Sequence, residues 1–208
     1  MTTESTTTTP PAREGTLRHL GTALVYTVVS VIALGLIYPA AIWLLATVLF
    51  HHQAQGSLIF ENGRLVGSDL VGQSFAQPGY FHGRPSAAGK GYDPTQTGGT
   101  NEGPTNKKLI DATRAAIAAL KKENPDATGP IPMDLVTSSA SGIDPDVTPE
   151  GAYYQAPRVA KARGVSLDVV RALIAAHVTP RTFGILGEPR VNVLALNRAL
   201  DARTKGAR

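Results

Sequence analysis

Apolar residues are concentrated in one run near the start of the chain. Residues 21–50 contain no charged side chain, and fifteen of these thirty positions are Leu, Ile, Val or Phe. A helix of this length exceeds the hydrocarbon core of a bilayer, which is roughly 30 Å thick. Each of those side chains favours insertion by roughly 0.3 to 0.6 kcal/mol. The pattern therefore predicts a transmembrane helix over residues 21–50.

A cleaved signal peptide is the alternative interpretation of this run. The apolar core of a signal peptide has about 7 to 15 residues and ends at a cleavage site with small residues. Here the run is longer and ends in Phe50, which two histidines follow. These features favour a retained helix.

Individual residues give the predicted helix a shape and an orientation. Pro39 lacks the N–H that would bond one turn back, which predicts a kink near Tyr38. Tyr38 and Trp43 suit either the membrane interface or the face of a partner helix. Arg13 and Arg18 precede the run, so the positive-inside rule favours a cytoplasmic N-terminus.

Beyond the apolar run, the pattern predicts a mixture of short strands and helices. Two apolar segments flank Asn62-Gly63, a dipeptide typical of two-residue hairpins. Strands are therefore expected at 57–60 and 64–66. Helical spacing, capping residues and helix breakers predict the other elements: helices at 107–124, 156–163, 167–177 and 196–203, and strands at 131–137 and 191–194.

These elements predict an α+β fold, with a single N-terminal transmembrane helix followed by one loop-rich extracytoplasmic α+β domain. The expected divisions are a disordered, Thr-rich cytoplasmic tail at 1–20, the membrane helix at 21–50 and the extracytoplasmic domain at 51–208. The 21 glycines and 15 prolines are the reason to expect many loops. The predicted location is the cell membrane, crossed once.

Composition excludes several kinds of site. The chain has no cysteine, which excludes disulfides, thiolate metal sites and cysteine nucleophiles. The net charge is +4, and the basic residues are interspersed with acidic ones instead of forming a run. We therefore expect no nucleic-acid partner.

The segment at 78–106 is the most unusual part of the predicted body. It has eleven Gly or Pro residues in twenty-nine and shows neither helical nor strand periodicity. Long irregular segments inside a compact domain are usually functional or disordered, and the aromatic residues here favour an anchored loop. The candidate partner-contact residues of this loop are Tyr80, His82, Arg84, Ser86, Tyr92, Asp93, Asn101 and Asn106.

Two motifs in the body resemble nucleotide or DNA sites without matching them. Residues 83–90 have five residues between their glycines where a phosphate-binding loop needs four, and Gly91 follows the lysine. Residues 158–177 have the rhythm of a helix-turn-helix, but apolar and acidic residues begin the second helix. A helical hairpin packed on a sheet is the preferred interpretation, and a membrane-tethered regulator is the less favoured one.

A hydrolase triad is the other chemical alternative. His82, Asp93 and one of Ser86, Ser138 or Ser139 supply the residue types, yet the chain has no G-x-S-x-G motif. His82 and Asp93 also lack the paired ligands of a metal site. We predict no catalytic residue and no metal, and keep a membrane-anchored extracytoplasmic hydrolase as an alternative.

Several segments together resemble one family, the C subunit of the Kdp potassium-transporting ATPase. The resemblance covers nearly all of residues 56–201 and the preceding apolar helix. The matching segments are GSLIF (56–60), GSDLVGQSF (67–75), PGYFHGRPSAAG (78–89), GYDPTQTGGTNEGPTN (91–106), DLVTSSASGIDPDVTPEGAYYQAPRVAKARG (134–164) and LGEPRVNVLALNRALD (186–201).

This resemblance implies an accessory and assembly subunit that is not itself an enzyme. Its partners would be a potassium-conducting membrane subunit, an ATP-hydrolysing P-type subunit and the lipid bilayer. The family is described as a catalytic chaperone, so ATP would be a cofactor of the complex and not of this chain. An extracytoplasmic body cannot reach cytoplasmic ATP. A nucleotide contact, for which Gln155 is the candidate, would require the reversed orientation.

Overall fold

A computed structural model describes residues 15–205 of the chain. The first fourteen residues, which include Arg13 and most of the predicted Thr-rich tail, lie outside the described part. The chain divides into two units, Met1–Gln55 and Gly56–Arg208. The first unit carries the apolar helix, and the second, called the body below, is a mixture of helices and strands.

The apolar unit is built on one helix from Thr16 to Leu49. It consists of α1 (Thr16–Ser30), a π-helical segment (Val31–Ile37) and α2 (Tyr38–Leu49), and the short helix α3 (His51–Ala54) follows it. Among residues 15–205 it is the one helix whose length and composition suit a membrane span. The sequence predicted its start at residue 21, but residues 16–20 contain neither Gly nor Pro, and the helix begins at Thr16 after Gly15.

A π-helical segment, Val31–Ile37, lies directly before Tyr38, where the sequence predicts a kink. The N–H of Tyr38 donates to the carbonyl of Ala33, five residues back. Pro39 follows immediately and has no N–H to continue the α-helical ladder. A π segment is one of the few recognised causes of distortion inside a helix, and here it lies directly before the proline.

Polar side chains within the apolar helix bond to its own backbone. The hydroxyls of Thr27 and Thr47 each donate to the carbonyl four residues back, at 2.8 Å. An apolar medium has no water to satisfy a hydroxyl, so this internal bonding removes the cost of an unpaired group. Tyr38 and Trp43 are both exposed on the helix surface.

A two-stranded antiparallel hairpin opens the body. Strand β1 (Leu58–Glu61) pairs with β2 (Arg64–Ser68) around Asn62 and Gly63. Both turn residues have positive φ, at 51° and 76°. Asn and Gly are the residues that tolerate this left-handed backbone best, and the predicted hairpin is confirmed.

The second sheet has three short antiparallel strands in the order β3-β5-β4. They are β3 (Asp146–Val147), β4 (Val178–Thr179) and β5 (Arg190–Asn192). The strand predicted at 191–194 is β5, but the chain turns into a helix at Val193. The outer strands have two residues each. Two residues are too few to show the alternating pattern by which a sequence predicts a strand.

Up to Lys205, where the description of the body ends, four α-helices complete it: α4 (Lys107–Glu123), α5 (Pro149–Arg163), α6 (Leu167–Ala176) and α7 (Val193–Lys205). The start predicted for α5 at residue 156 is wrong. Thr148 caps the helix by accepting from the N–H of Gly151 at 3.0 Å, and Pro149 occupies the first turn, where a missing N–H costs nothing.

The strand predicted at 131–137 is also wrong. A single 3-10 turn, Met133–Leu135, occupies this segment. Pro132 cannot donate to a strand ladder, and the turn instead directs Asp134 and Leu135 into the interior.

The helical hairpin of α5 and α6 forms one side of the core, as predicted. Gly164 ends α5 with φ of 66°, and Ser166 caps α6. Val170 and Ile174 of α6 are fully buried and join a core that includes Leu196. The apolar face of α6 is therefore used for packing inside the body.

Candidate functional site

The loop at 78–106 is fixed to the body first by two buried side-chain amides. Asn197 of α7 accepts from the N–H of Phe81 at 2.8 Å and donates to its carbonyl at 2.9 Å. Gln155 of α5 bonds to His82 in the same way, at 2.8 and 3.1 Å. Both amide residues are 1% exposed. Each pairs with the backbone as a neighbouring strand would, so two consecutive residues are held.

The guanidinium of Arg158 is the central polar group of this anchor. It donates from Nη1 to the carbonyls of Pro78 and Tyr80, the latter at 3.0 Å. Nε donates to Asn124 Oδ1 at 2.9 Å and Nη2 to Gln155 Oε1 at 2.8 Å. Arg158 is only 8% exposed, and burial lowers the pKa of its guanidinium. A buried charge is tolerated only when its hydrogen bonds are satisfied, as they are here.

Tyr80 is held from both its ring and its hydroxyl. The guanidinium of Arg163 lies 4.4 Å from the ring centroid, and the ring of Phe75 lies 5.5 Å away. The hydroxyl donates to Asp201 at 3.0 Å, and Asp201 also pairs with Arg163 at 2.7 Å. Arg163 Nε donates to the carbonyl of Gly79 at 2.6 Å. Cation–π contact and ion pairing thus fix the same side chain.

His82 directs its ring toward the end of α4. Nδ1 lies 2.9 Å from a carboxylate oxygen of Glu123, and Nε2 lies 3.2 Å from the carbonyl of Gln77. Burial and the nearby Arg158 lower the pKa of His82, and the Gln77 carbonyl and Glu123 oppose them. Two acceptors around the ring favour the cation, but desolvation is the largest influence. We therefore take His82 as neutral, with Nδ1 donating to Glu123.

The middle of the loop is organised by a serine hydroxyl and a buried tyrosine. Ser86 donates to the carbonyl of Gly142 and accepts from the N–H of Tyr92 at 2.7 Å. The hydroxyl of Tyr92 donates to the carbonyl of Arg84. Burial raises the pKa of Tyr92 to about 12. Gly142 has φ of 70°, and a Cβ there would lie 2.7 Å from the backbone of Ala88, so only glycine fits this contact.

Arg84 links the loop to the segment that leads into β3. Its Nη1 lies 3.1 Å from Asp144, and Nη2 donates to the Ser138 carbonyl at 3.4 Å. Within the described residues its Nε is buried without a hydrogen-bond partner. The ion pair is partly exposed, and such pairs contribute little to stability. We therefore assign it the role of orienting the Arg84 side chain.

The polar side chains in the last part of the loop bond to nearby residues, while the N–H of Gly98 donates to the carbonyl of Ser141 at 2.8 Å. Asp93 accepts from the N–H and the hydroxyl of Thr95 at 2.8 and 2.7 Å, and these bonds lower the pKa of Asp93. Asn101 is exposed with φ of 52°. Asn106 caps α4 by accepting from the N–H of Lys108 at 2.9 Å. Asn101 and Asn106 therefore stay on the surface.

A cavity of about 380 Å³ lies between the loop and α4. Apolar side chains, including Phe75, Leu120 and Leu135, contribute to its wall, as do the polar groups of His82 and Glu123. Concave surfaces of mixed polarity suit the side chains of a binding partner. We regard this cavity and the exposed end of the loop as one candidate contact site.

The residues considered for a hydrolase triad have separate partners. His82 donates to Glu123, Asp93 accepts within its own turn, and Ser86 donates to Gly142. A triad requires a nucleophile that is hydrogen-bonded to its base, which is in turn oriented by an acid. These contacts therefore give each side chain a structural role and do not assemble a triad.

The structure brings most of the candidate contact residues together, but their anchors come from distant parts of the chain. Tyr80, His82, Arg84, Ser86 and Tyr92 pack into the body, whereas the end of the loop is exposed. Sequence analysis did not identify Arg158, Asn197 or Arg163 as part of this site. Asn197 falls on the apolar stripe of α7, a position where a polar residue indicates a buried hydrogen bond.

Gln155, the candidate nucleotide contact, lies on α5 and contacts the backbone of His82. Its amide oxygen accepts from His82 and Arg158, and its amide nitrogen donates to His82 and to the carbonyl of Gly151 at 3.2 Å. Two of these bonds hold His82 and a third holds Arg158, so they serve the anchor of the loop, and the fourth lies within α5. Contact with a nucleotide stays a prediction.

Comparison with known proteins gives one consistent family. The model of the family KdpC, described as "K+-transporting ATPase, c chain", matches residues 20–202. A potassium-transporting ATPase KdpC subunit of Acidobacterium capsulatum is 56% identical over 89% of this chain and 98% of its own length. The KdpC subunit of Myxococcus xanthus is 55% identical, covering 88% of this chain and 87% of its own. That of Koribacter versatilis is 51% identical, covering 88% and 94%.

The lowered pKa of His82 predicts how stability depends on pH. Because the folded pKa lies below the unfolded value of 6.5, the stability is fully present above pH 6.5. It is lost as the pH falls from there through the folded pKa. Unfolding of the full chain in detergent, followed between pH 7 and 5, should show this loss.

The replacement His82→Gln should reduce that pH slope. Glu123→Gln removes a group that raises the pKa of His82, so it should extend the loss to lower pH. If the wild-type chain and His82→Gln lose stability in parallel over this range, His82 does not titrate as assigned here.

Proposed function

This chain belongs to the family of the K+-transporting ATPase c chain, and we propose that it is the subunit that stabilises the assembled potassium-importing complex. In this proposal it is not an enzyme, and it supports the use of ATP by a separate catalytic subunit. The polar groups of the loop are engaged in holding the loop itself and not in a catalytic arrangement. This agrees with a binding role.

The uncovered apolar helix is the observation that carries the proposal. The side chains of Leu24, Leu34, Leu44 and Val48 are exposed, with most others of this helix. Apolar surface of this extent requires lipid or another apolar helix around it. Within a membrane transport complex, a subunit is surrounded by both lipid and the helices of its partner subunits. We propose that the helix crosses the membrane once and contacts another subunit there.

We propose that the body contacts the potassium-conducting subunit through the loop at 78–106. The anchor at Arg158 holds one end of this loop rigidly, which lowers the entropy cost of binding. The exposed end near Asn101 and Asn106 and the cavity beside His82 would form the contact surface. The ATP-hydrolysing P-type subunit is the second proposed partner.

We propose that the effect on ATP is transmitted through the assembled complex. With the N-terminus in the cytoplasm, as Arg18 favours under the positive-inside rule, the body lies outside and cannot reach cytoplasmic nucleotide. A change in ATP affinity then requires coupling between subunits, and such coupling is reciprocal. The role of Gln155 in holding His82 supports this indirect route.

Deletion of residues 21–50 should release the chain from the purified ATPase complex. The reason is that the proposed membrane contact and the tether are removed together. Co-purification from cell membranes measures the outcome. In the matched control, a leucine–alanine helix of the same length replaces residues 21–50.

The control separates tethering from specific contact. Retention of the control variant would mean that the body alone supplies the specific contacts. If the variant that lacks residues 21–50 is fully retained in the complex and potassium transport is unchanged, the proposal is contradicted.

Labelling of an introduced cysteine should establish the orientation. The chain has no cysteine of its own, and Ala162 is exposed near the end of α5, so Ala162→Cys gives one reactive position. A membrane-impermeant maleimide should label it from outside intact cells. Labelling only after the membrane is opened would show that the orientation is the opposite one. Direct contact with nucleotide would then again be a possible role of the body.

A further inference from the structure

A short loop between β4 and β5 presents an apolar tip to solvent. Residues 181–188, called the finger below, expose Phe183 by 87%, Ile185 by 75% and Leu186 by 57%. Single exposed apolar residues are normal on protein surfaces, whereas contiguous apolar patches indicate a contact site for a protein or a membrane. The proposed contact loop at 78–106 does not include the finger.

The finger is an ordered turn. Thr182 and Leu186 exchange backbone hydrogen bonds at 2.9 and 3.0 Å, and Gly184 donates to the carbonyl of Arg181 at 3.0 Å. Arg181 pairs with Glu188 across its base. The apolar side chains are therefore held outward before any partner binds, which reduces the ordering cost of binding.

The backbone at Phe183 is unusual for a bulky residue. Its φ is 54°, in the left-handed region that favours glycine or asparagine. Phe183 makes no part of the buried core, so packing within the body does not account for this conformation. Strained residues held by ordered surroundings are frequent at binding sites.

The charges around the finger indicate which kind of partner it fits. Arg181 is paired with Glu188, and Arg190 is paired with Asp146 at 3.1 Å. A surface that binds anionic lipid carries an excess of unpaired Lys and Arg. Here the rim is neutral and the tip is apolar, which complements an uncharged apolar pocket in a protein.

We propose that the finger inserts into an apolar pocket on another subunit of the potassium-transporting ATPase, as a contact additional to the loop at 78–106. The inference rests on the proposed function. Aromatic residues are enriched at the centre of protein interfaces, and apolar anchors in pockets carry much of the affinity. Phe183 would be the anchor, with Ile185 and Leu186 closing the pocket around it.

Equilibrium binding tests the contribution of the tip. The full-length chain in detergent is titrated against the ATPase complex purified without this subunit. The double replacement Phe183→Ala and Ile185→Ala should weaken binding at least about tenfold. Phe60→Ala is the matched control, because Phe60 is an exposed phenylalanine on the hairpin, 59% exposed, and it should leave affinity unchanged.

Thermal unfolding of the same variants excludes a trivial cause. The tip side chains are exposed, so their truncation should not lower the midpoint of unfolding. Weakened binding with an unchanged midpoint supports the docking role. Affinity equal to that of the wild-type chain would overturn it.

Cross-linking identifies the occupant of the tip. Phe183→Cys gives the chain a single cysteine, to which a benzophenone is attached before light is applied to the assembled complex. A cross-link to another subunit supports the inference. A cross-link only to lipid, or only to a second copy of this chain, overturns it.

Two outcomes separate this inference from the proposed function. If the wild-type chain does not bind the ATPase complex, the proposed function fails. If it binds and the double variant binds equally well, only the finger inference fails.

Discussion

The buried guanidinium of Arg158 connects more of the body than any other side chain in the described residues. It bonds to two carbonyls of the loop, to Asn124 after α4 and to Gln155 within its own helix. Removing one partner from a buried charged network costs about 3 to 5 kcal/mol, because the remaining groups lose their hydrogen bonds. The order of the first part of the loop, residues 78–82, depends on this interaction, and His82 of that part contributes to the wall of the adjoining cavity.

Local chemistry explains what could be predicted from the sequence. The hairpin at Asn62-Gly63, the end of α4 and the cap of α6 at Ser166 all depend on neighbouring residues, and each was predicted near its observed position. The start of α5 was missed because Thr148-Pro149 can also begin a turn. The strands β3 and β4 have two residues each, so they depend on pairing with β5 more than on their own pattern.

The candidate site could be predicted only in part, because its anchors are distant in sequence. Phe81 and Asn197 are 116 residues apart, and His82 and Gln155 are 73 apart. The aromatic residues of the loop indicated an anchored segment, but no local pattern indicates which residue supplies the anchor. The family resemblance was confirmed, whereas the contact residues follow from geometry and stay proposals. We propose that the apolar helix contacts lipid and another subunit, and that the loop at 78–106 and the finger contact partner subunits.

Hydrogen exchange of the loop amides tests the central role of Arg158 most directly. Arg158→Lys keeps the charge but loses the planar fork that reaches four acceptors. The amides of Phe81 and His82 should then exchange at least about tenfold faster than in the wild-type chain. Arg171→Lys, at an exposed position of α6, should leave them unchanged. Equal protection of Phe81 and His82 in Arg158→Lys and the wild-type chain would contradict the account.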